Sequence, residues 1–527
     1  MTALTSLREA SRGGTGQELL SRGRRFLRGP ATPDVVLGMV GSGLTLLGGL
    51  GAGSVRVRDP LLEMVSLSWL RFGHGHDLST ASIYVGVLLL FFAWMRLGRR
   101  VLAGGVSPTA LRGVLLVWMG PLLLSPPLFS RDAYSYLAQG ALLRDGFKPY
   151  EVGPVASPGV LLDNVSNVWT TTTAPYGPLF LLLSDLVTRI TGNSVVAGTI
   201  LLRLVMLPGI VLLVWALPRL TAHLGGDHAV ALWLALLNPL VLVNLVGGVH
   251  NEMLMVGLLA AGTVLVLDRK HAGGFAVVAV GMAIKATAGL ALPFLVWVWM
   301  AHRREEASAA GEDPPKPFPL FCRTAGLGAL IVLAVFAGPS MVPNLGIGWI
   351  GALAGSGLII NWLSLPTAIA HLITLCFSWL FHVGIVSVLP YTRALCALAL
   401  ITIVGRLWWR SRNSAVESTK SIAFALIAVV ILSPAALTWY YAWPLAMGAA
   451  HRWSRRMLAL VVGLSLGLML LFRPSGLTGM YSPVDVTAAI LLGTLAGISL
   501  LRPDPLRLRS KAAKLAPHHG EAGPHRA

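Results

Sequence analysis

Three polar islands interrupt an otherwise apolar chain. The first is Asp132 in FSRDAYSYLAQGALLRDGFKPYEVGP, directly after the run VLLVWMGPLLLSPPL. The second is VGGVHNEM, where His250, Asn251 and Glu252 stand together between two apolar runs. The third is Lys285 in GMAIKATAGLALP, a lone cation in a long apolar stretch. Ionisable groups at membrane depth mark functional sites by default, because burying them is unfavourable. Lys285 has no carboxylate near it in sequence, so it invites an anion, and a lipid phosphate suits it. Arg473 in LFRPSG follows the same logic.

Each island also has a plainer explanation. Asp132 or Ser130 can cap a short helix starting there, VHNE can be a solvated hairpin, and Lys285 can snorkel to the interface. Capping and chemistry are compatible at Asp132. Tyr134, Tyr136 and Gln139 follow Asp132 at spacings that can surround one face. Trp169 and Tyr176 in WTTTTAPYGPL, and Tyr440 in SPAALTWYYAWP, can either anchor an interface belt or stack on sugar rings. No Gly-rich phosphate loop, HExxH or Ser-His-Asp order is present.

The elements that must position these groups are membrane helices. Of the 527 residues, 55% are hydrophobic and only 12% charged, against roughly 25% charged in soluble domains. The apolar runs suit spans of about 20 residues, and alternating β-barrel segments are absent. The fold class is therefore an all-α polytopic membrane protein. Net charge is +19, but Lys and Arg fall in short clusters between apolar runs, as in cytoplasmic loops, which argues against nucleic-acid binding. Cys322, Cys376 and Cys396 have no ligand or disulfide spacing. Polar and basic residues precede the first apolar run, so no cleavable signal is expected.

The basic clusters set a topology by parity. Thirteen to fourteen transmembrane helices, about the number the apolar runs allow, extend from 35–54 to 484–501 and include 438–450, with both termini cytoplasmic. Residues 1–34 and 502–527 are tails, and 35–501 form one transmembrane domain. Residues 129–193 and 339–384 make two external loops. Within them, 178–192 and 366–383 are expected to lie in the outer interface instead of crossing. Asp132 then sits where a helix emerges on the outer face, between lipid headgroups and water.

SRDAYSYLAQG with GFKPYEVGP, NVWTTTTAPYGPLF and GGVHNE resembles the actinobacterial polyprenol-phosphate-mannose-dependent α-1,6-mannosyltransferases, which belong to the GT-C glycosyltransferases. The resemblance spans most of the chain in topology, and its motifs cluster in 129–292. Lys148 departs from it, where an acidic residue is expected before Pro-Tyr. The resemblance implies a plasma-membrane enzyme with its site on the outer face. Asp132 would be the general base for inverting transfer from polyprenyl-phosphate mannose to a 6-hydroxyl of a lipid-anchored mannan, the backbone of lipomannan and lipoarabinomannan. Lys285, His250 and Arg473 would hold the donor phosphate. Glu252 and Asn251 would hold sugar hydroxyls, and the aromatic groups named above would stack on sugar. Asp132 stands alone without a DxD partner, so neither metal nor cofactor is expected. The partners are the donor, the acceptor and membrane lipids, with no protein partner specified. Another lipid-phosphosugar transferase, arabinosyl or early phosphatidylinositol-mannoside, is the alternative within the class. A transporter of lipid-linked sugar is the alternative outside it, but transport sites lie near the midplane.

Overall fold

The structure, a computed structural model, describes residues 32–352, 359–381 and 384–502. Almost all of both expected tails, and parts of the expected second loop, lie outside the described residues. Among the described residues every regular element is helical, apart from one isolated bridge between Phe472 and Thr478. Seven helices are long and apolar enough to cross a membrane, or up to eight if the bent pair His228–Ala235 and Pro239–Gly247 is one span. Shorter apolar helices join them, and the chain is a polytopic all-α membrane protein.

The helices that position the polar islands are numbered in chain order. They are α1 (Pro108–Leu124), α2 (Asp132–Arg144), α3 (Pro178–Thr191) and α4 (Val195–Leu224). After them come α5 (Glu252–Leu267), α6 (His271–Ile284), α7 (Leu292–Ala309) and α8 (Pro317–Ser340). Serine caps start two of these where the chain turns. Ser107 accepts from the Ala110 N–H at 3.2 Å, and Ser194 from Ala197 at 3.3 Å, satisfying amides that a helix start leaves free.

One expected span takes a different form. Residues 438–450 form a 3₁₀ turn, Thr438–Tyr441, and then the short helix Ala442–Gly448. Those seven helical residues rise only about 10 Å, far less than a bilayer core. Pro434 and Pro444 flank the turn, and each removes an amide donor. The tract is a broken element that brings Trp439, Tyr440 and Trp443 inward.

The stretch 178–192, expected in the outer interface, forms α3. It buries Phe180, Leu181, Ser184, Val187 and Thr188, while Leu186 and Ile190 stay exposed. Asp185 and Arg189, one turn apart, pair at 2.8 Å on the open side.

Two contacts set the positions of the site-bearing segments. Gly209 in α4 and Gly257 in α5 let the two backbones touch. A Cβ on Gly209 would meet the Met253 carbonyl at 1.9 Å, and one on Gly257 would meet Gly209 O at 2.3 Å. Small residues at a membrane helix crossing permit such approach. Arg203, also in α4, is 2% exposed and donates to the carbonyls of Val246, Gly247, Leu123 and Ser125 at 2.7–3.1 Å. It thereby ties the chain just before Asp132 to the chain just before His250.

Replacing Arg203 with Met should leave those buried carbonyls without a donor, each unmet group costing about 1–3 kcal/mol. The melting temperature of the purified protein in detergent should fall by several degrees; an unchanged melt would show that the clamp contributes nothing.

Candidate active site

Both polar islands in the first half of the chain are reached through strained backbone. Phe129 and Val249 have φ of 59° and 58°, a region that bulky and β-branched residues rarely enter. Phe129 precedes Ser130–Asp132, and Val249 precedes His250. Between Leu242 and Gly247 the helix widens into a π turn, an irregularity frequent at functional sites. Strain of this kind costs about 1–3 kcal/mol per residue and persists only where surrounding contacts enforce it. Here the Phe129 N–H donates to Pro474 O at 2.9 Å, and Arg203 holds the π turn.

Asp132 is the first residue of α2. The Ser130 hydroxyl accepts from its N–H at 3.1 Å, so its own carboxylate is not the cap. That carboxylate faces inward, with Oδ2 3.6 Å from Nδ1 of His250. Glu252 Oε2 lies 3.8 Å from the same nitrogen. His250 is fully buried and stacks on Trp439 at 4.0 Å between ring centres. Glu252 accepts a hydrogen bond from the Lys285 ammonium. Lys285 ends α6 in an extended conformation, and its ammonium lies over Tyr440 at 4.4 Å and near Trp443 at 5.3 Å. A cation among aromatic faces gains electrostatically from each ring.

The Y-G-P-L turn has a mechanical role. Gly177 donates to Ile284 O at 3.1 Å, and a Cβ there would meet Ala283 O at 2.2 Å. Only glycine permits that approach, which seats Tyr176 beside Lys285, with the ammonium 6.0 Å from its ring centre. Tyr136 packs edge-on against Tyr176 at 5.2 Å.

These groups surround a cavity of about 170 Å³, lined by Asp132, Trp169, Tyr176, Lys285, Tyr440 and Trp443, among others. A carboxylate thus faces the same space as a caged cation. Burial foremost, then the Glu252 carboxylate, push the Asp132 carboxyl up to about 7, against the opposing pull of Lys285 and Ser130. Burial and then Lys285 hold the His250 imidazole well below the usual histidine range. Both carboxylates lie near its Nδ1, yet neither ring nitrogen has a hydrogen-bond partner among the described residues, and a neutral imidazole supplies no positive charge to a phosphate. Asn251 is fully buried, and neither of its amide atoms has a hydrogen-bond partner.

Asp132, His250, Asn251, Glu252, Lys285, Tyr136, Trp169, Tyr176 and Tyr440 therefore gather in one region. Two expected site residues do not join them. The Tyr134 hydroxyl turns away to donate to the Ser54 carbonyl, and its ring lies under Arg131. Arg473 is half exposed and bonded to Asp485 at 3.0 Å, in a turn that does not line the cavity. Trp439 and Trp443 were not singled out in the sequence, although both lie in the aromatic SPAALTWYYAWP. Arg203 carried no sequence signal beyond a charge inside an apolar helix.

A helical membrane bundle that aims a carboxylate and a caged cation at one cavity has the make-up of a group-transfer enzyme. Residues 35–301 match the family described as alpha-(1->6)-mannopyranosyltransferase, N-terminal domain, and residues 366–502 match the MptB C-terminal domain. The chain is 51% identical to alpha-(1->6)-mannopyranosyltransferase A of Mycobacterium tuberculosis, over 88% of this chain and 89% of that one. It is 32% identical to alpha-(1->6)-mannopyranosyltransferase A of Corynebacterium glutamicum, over 86% and 96%. Identity to alpha-(1->6)-mannopyranosyltransferase B of the same organism is 27%, over 88% and 80%. The chain belongs to the α-(1→6)-mannopyranosyltransferase family and is a membrane-embedded glycosyltransferase.

The Glu252–Lys285 pair yields a stability prediction. Lys285→Met alone orphans a buried carboxylate and should destabilise the protein by about 3–5 kcal/mol, whereas Lys285→Met with Glu252→Leu should recover most of that. Melting temperatures of the two variants check this; a double variant as unstable as the single would show that the two groups are not coupled.

Proposed function

We propose that the protein transfers mannose from a polyprenyl-phosphate carrier to a 6-hydroxyl of a lipid-anchored mannan, at the outer face of the plasma membrane. The observation that carries this reading is the convergence of Asp132 and Lys285 on one cavity. The relatives' names supply the sugar and the linkage, and the sequence resemblance supplies donor and acceptor.

The acceptor hydroxyl gives its proton to the Asp132 carboxylate as its oxygen attacks the anomeric carbon. The bond from that carbon to the phosphate oxygen breaks with inversion, so a β donor gives an α product. The polyprenyl phosphate departs with one more negative charge, which the Lys285 ammonium stabilises. Such a leaving group needs no protonation, so one carboxylate suffices, and metal and cofactor have no assigned step. Glu252 holds Lys285 in place, His250 packs beside Asp132 on the Trp439 ring, and the free amide of Asn251 serves a sugar hydroxyl. The aromatic rings of Trp169, Tyr176 and Tyr440 border the sugar.

The ends of α5 support the outer-face placement. Glu252 starts this helix in the site, and Arg269–Lys270 follow its other end, about 24 Å away. If the basic ends are cytoplasmic, Asp132 faces outward and both termini lie inside.

Asp132→Asn should fold normally and lose transfer by at least about a hundredfold, the usual contribution of a positioned base. Because the carboxyl must be ionised to accept a proton, wild-type kcat/KM should rise with pH and level off above about 7. Purified protein with labelled polyprenyl-phosphate mannose and a short α-1,6-mannoside measures both. Near wild-type transfer by the variant, or a wild-type profile flat through pH 7, would remove Asp132 from the base role.

A further inference from the structure

The end of the bundle opposite Asp132 holds a second cavity, of about 460 Å³, among α6, α7 and α8. Its rim carries Arg269, Lys270, Arg303 and Arg323. Arg269 adopts a left-handed φ of 63° at the end of α5, a position where glycine is usual. Two carboxylates offset part of this charge: Arg269 pairs with Glu305 at 2.5 Å and with Glu306 at 3.2 Å, and Arg303 with Glu306 at 2.9 Å. Lys270 and Arg323 have no ion pair among the described residues. Ala272 and Gly273, in the first turn of α6, also line the cavity, where N–H groups have no helical acceptor. The rest of the lining mixes Leu320, Leu327 and Trp299 with His271 and Thr324, and the Trp299 ring lies parallel to His271 at 5.1 Å.

From this geometry we infer a binding site for the headgroup of an anionic phospholipid in the leaflet opposite the Asp132 site. Loop cations that merely set topology need no cleft. Here surplus cations and helix-start amides border a cleft that also presents Leu320, Leu327 and Trp299, so a single ligand with an anionic head and acyl chains satisfies both. Basic pockets between membrane helices bind such headgroups. A soluble anion would leave Leu320 and Leu327 unused.

The full-length protein, purified in detergent, is mixed with phosphatidylglycerol or phosphatidylcholine, and retained lipid is counted by native mass spectrometry. Wild type should retain phosphatidylglycerol preferentially. Lys270→Gln with Arg323→Gln should weaken that retention on the order of tenfold, the scale expected for two charges near a headgroup. Melting temperature should not change, since both side chains are exposed. Arg455→Gln with Arg456→Gln, which removes the same charge from the start of the helix Arg455–Leu470 outside this cavity, should leave retention intact. No preference in wild type, or equal loss in both double variants, would overturn the site. Displacement of the lipid by millimolar inorganic phosphate would reassign it to a soluble anion and overturn the lipid assignment.

Discussion

The buried ion pair between Glu252 and Lys285 is the constraint around which the rest is arranged. Glu252 is fully buried and the Lys285 side chain only 13% exposed. Two such charges in a membrane bundle are tolerable only together, since removing either leaves the other uncompensated. The pair joins the first residue of α5 to the residue that ends α6, fixing a helix start and a helix break side by side. Gly177 docks on Ile284, the Gly209–Gly257 crossing sets α5, and Arg203 clamps the two approaches. Each serves to hold polar groups where a hydrocarbon-facing position would be prohibitive.

The same economy explains the strain. Left-handed backbone at Phe129 and Val249 turns the chain sharply just before Asp132 and His250. Both turns hold because neighbouring segments grip them, through Pro474 and Arg203. The outcome is a carboxyl pushed up to about 7, a value that suits the proposed base, which must accept a proton near neutral pH. Its neighbour His250 stays neutral by burial and so does not compete with Lys285 for an anion.

Much of this was legible in the sequence, because polar residues are conspicuous in an apolar chain. Asp132, VHNE and Lys285 stood out by contrast alone, the YGPL tract through the family resemblance, and the helical class followed from run length. What sequence did not reveal was pairing. Lys285 lacks an acid nearby in the chain, yet Glu252, 33 positions away, bonds to it. Nor did sequence reveal the neighbours of His250, two carboxylates near its Nδ1 and the Trp439 ring stacked on it. Tyr134 and Tyr136 lie two positions apart, so a helix turns them to different sides, and only Tyr136 reaches the cluster. Arg473 carried the same signal as Lys285, but Asp485, twelve residues on, already holds it. The tract 438–450 read as a span because its composition is apolar, and its prolines and aromatics make it a broken, site-lining element instead.

The central claim is that one cavity presents a carboxylate to the acceptor and a cation to the carrier phosphate. The most direct measurement is a structure of the protein with a non-transferable polyprenyl-phosphate mannose analogue bound. The expected result places the phosphate against the Lys285 ammonium and the anomeric carbon within reach of a hydroxyl hydrogen-bonded to Asp132. A phosphate bound away from Lys285, or a sugar turned from Asp132, would contradict it.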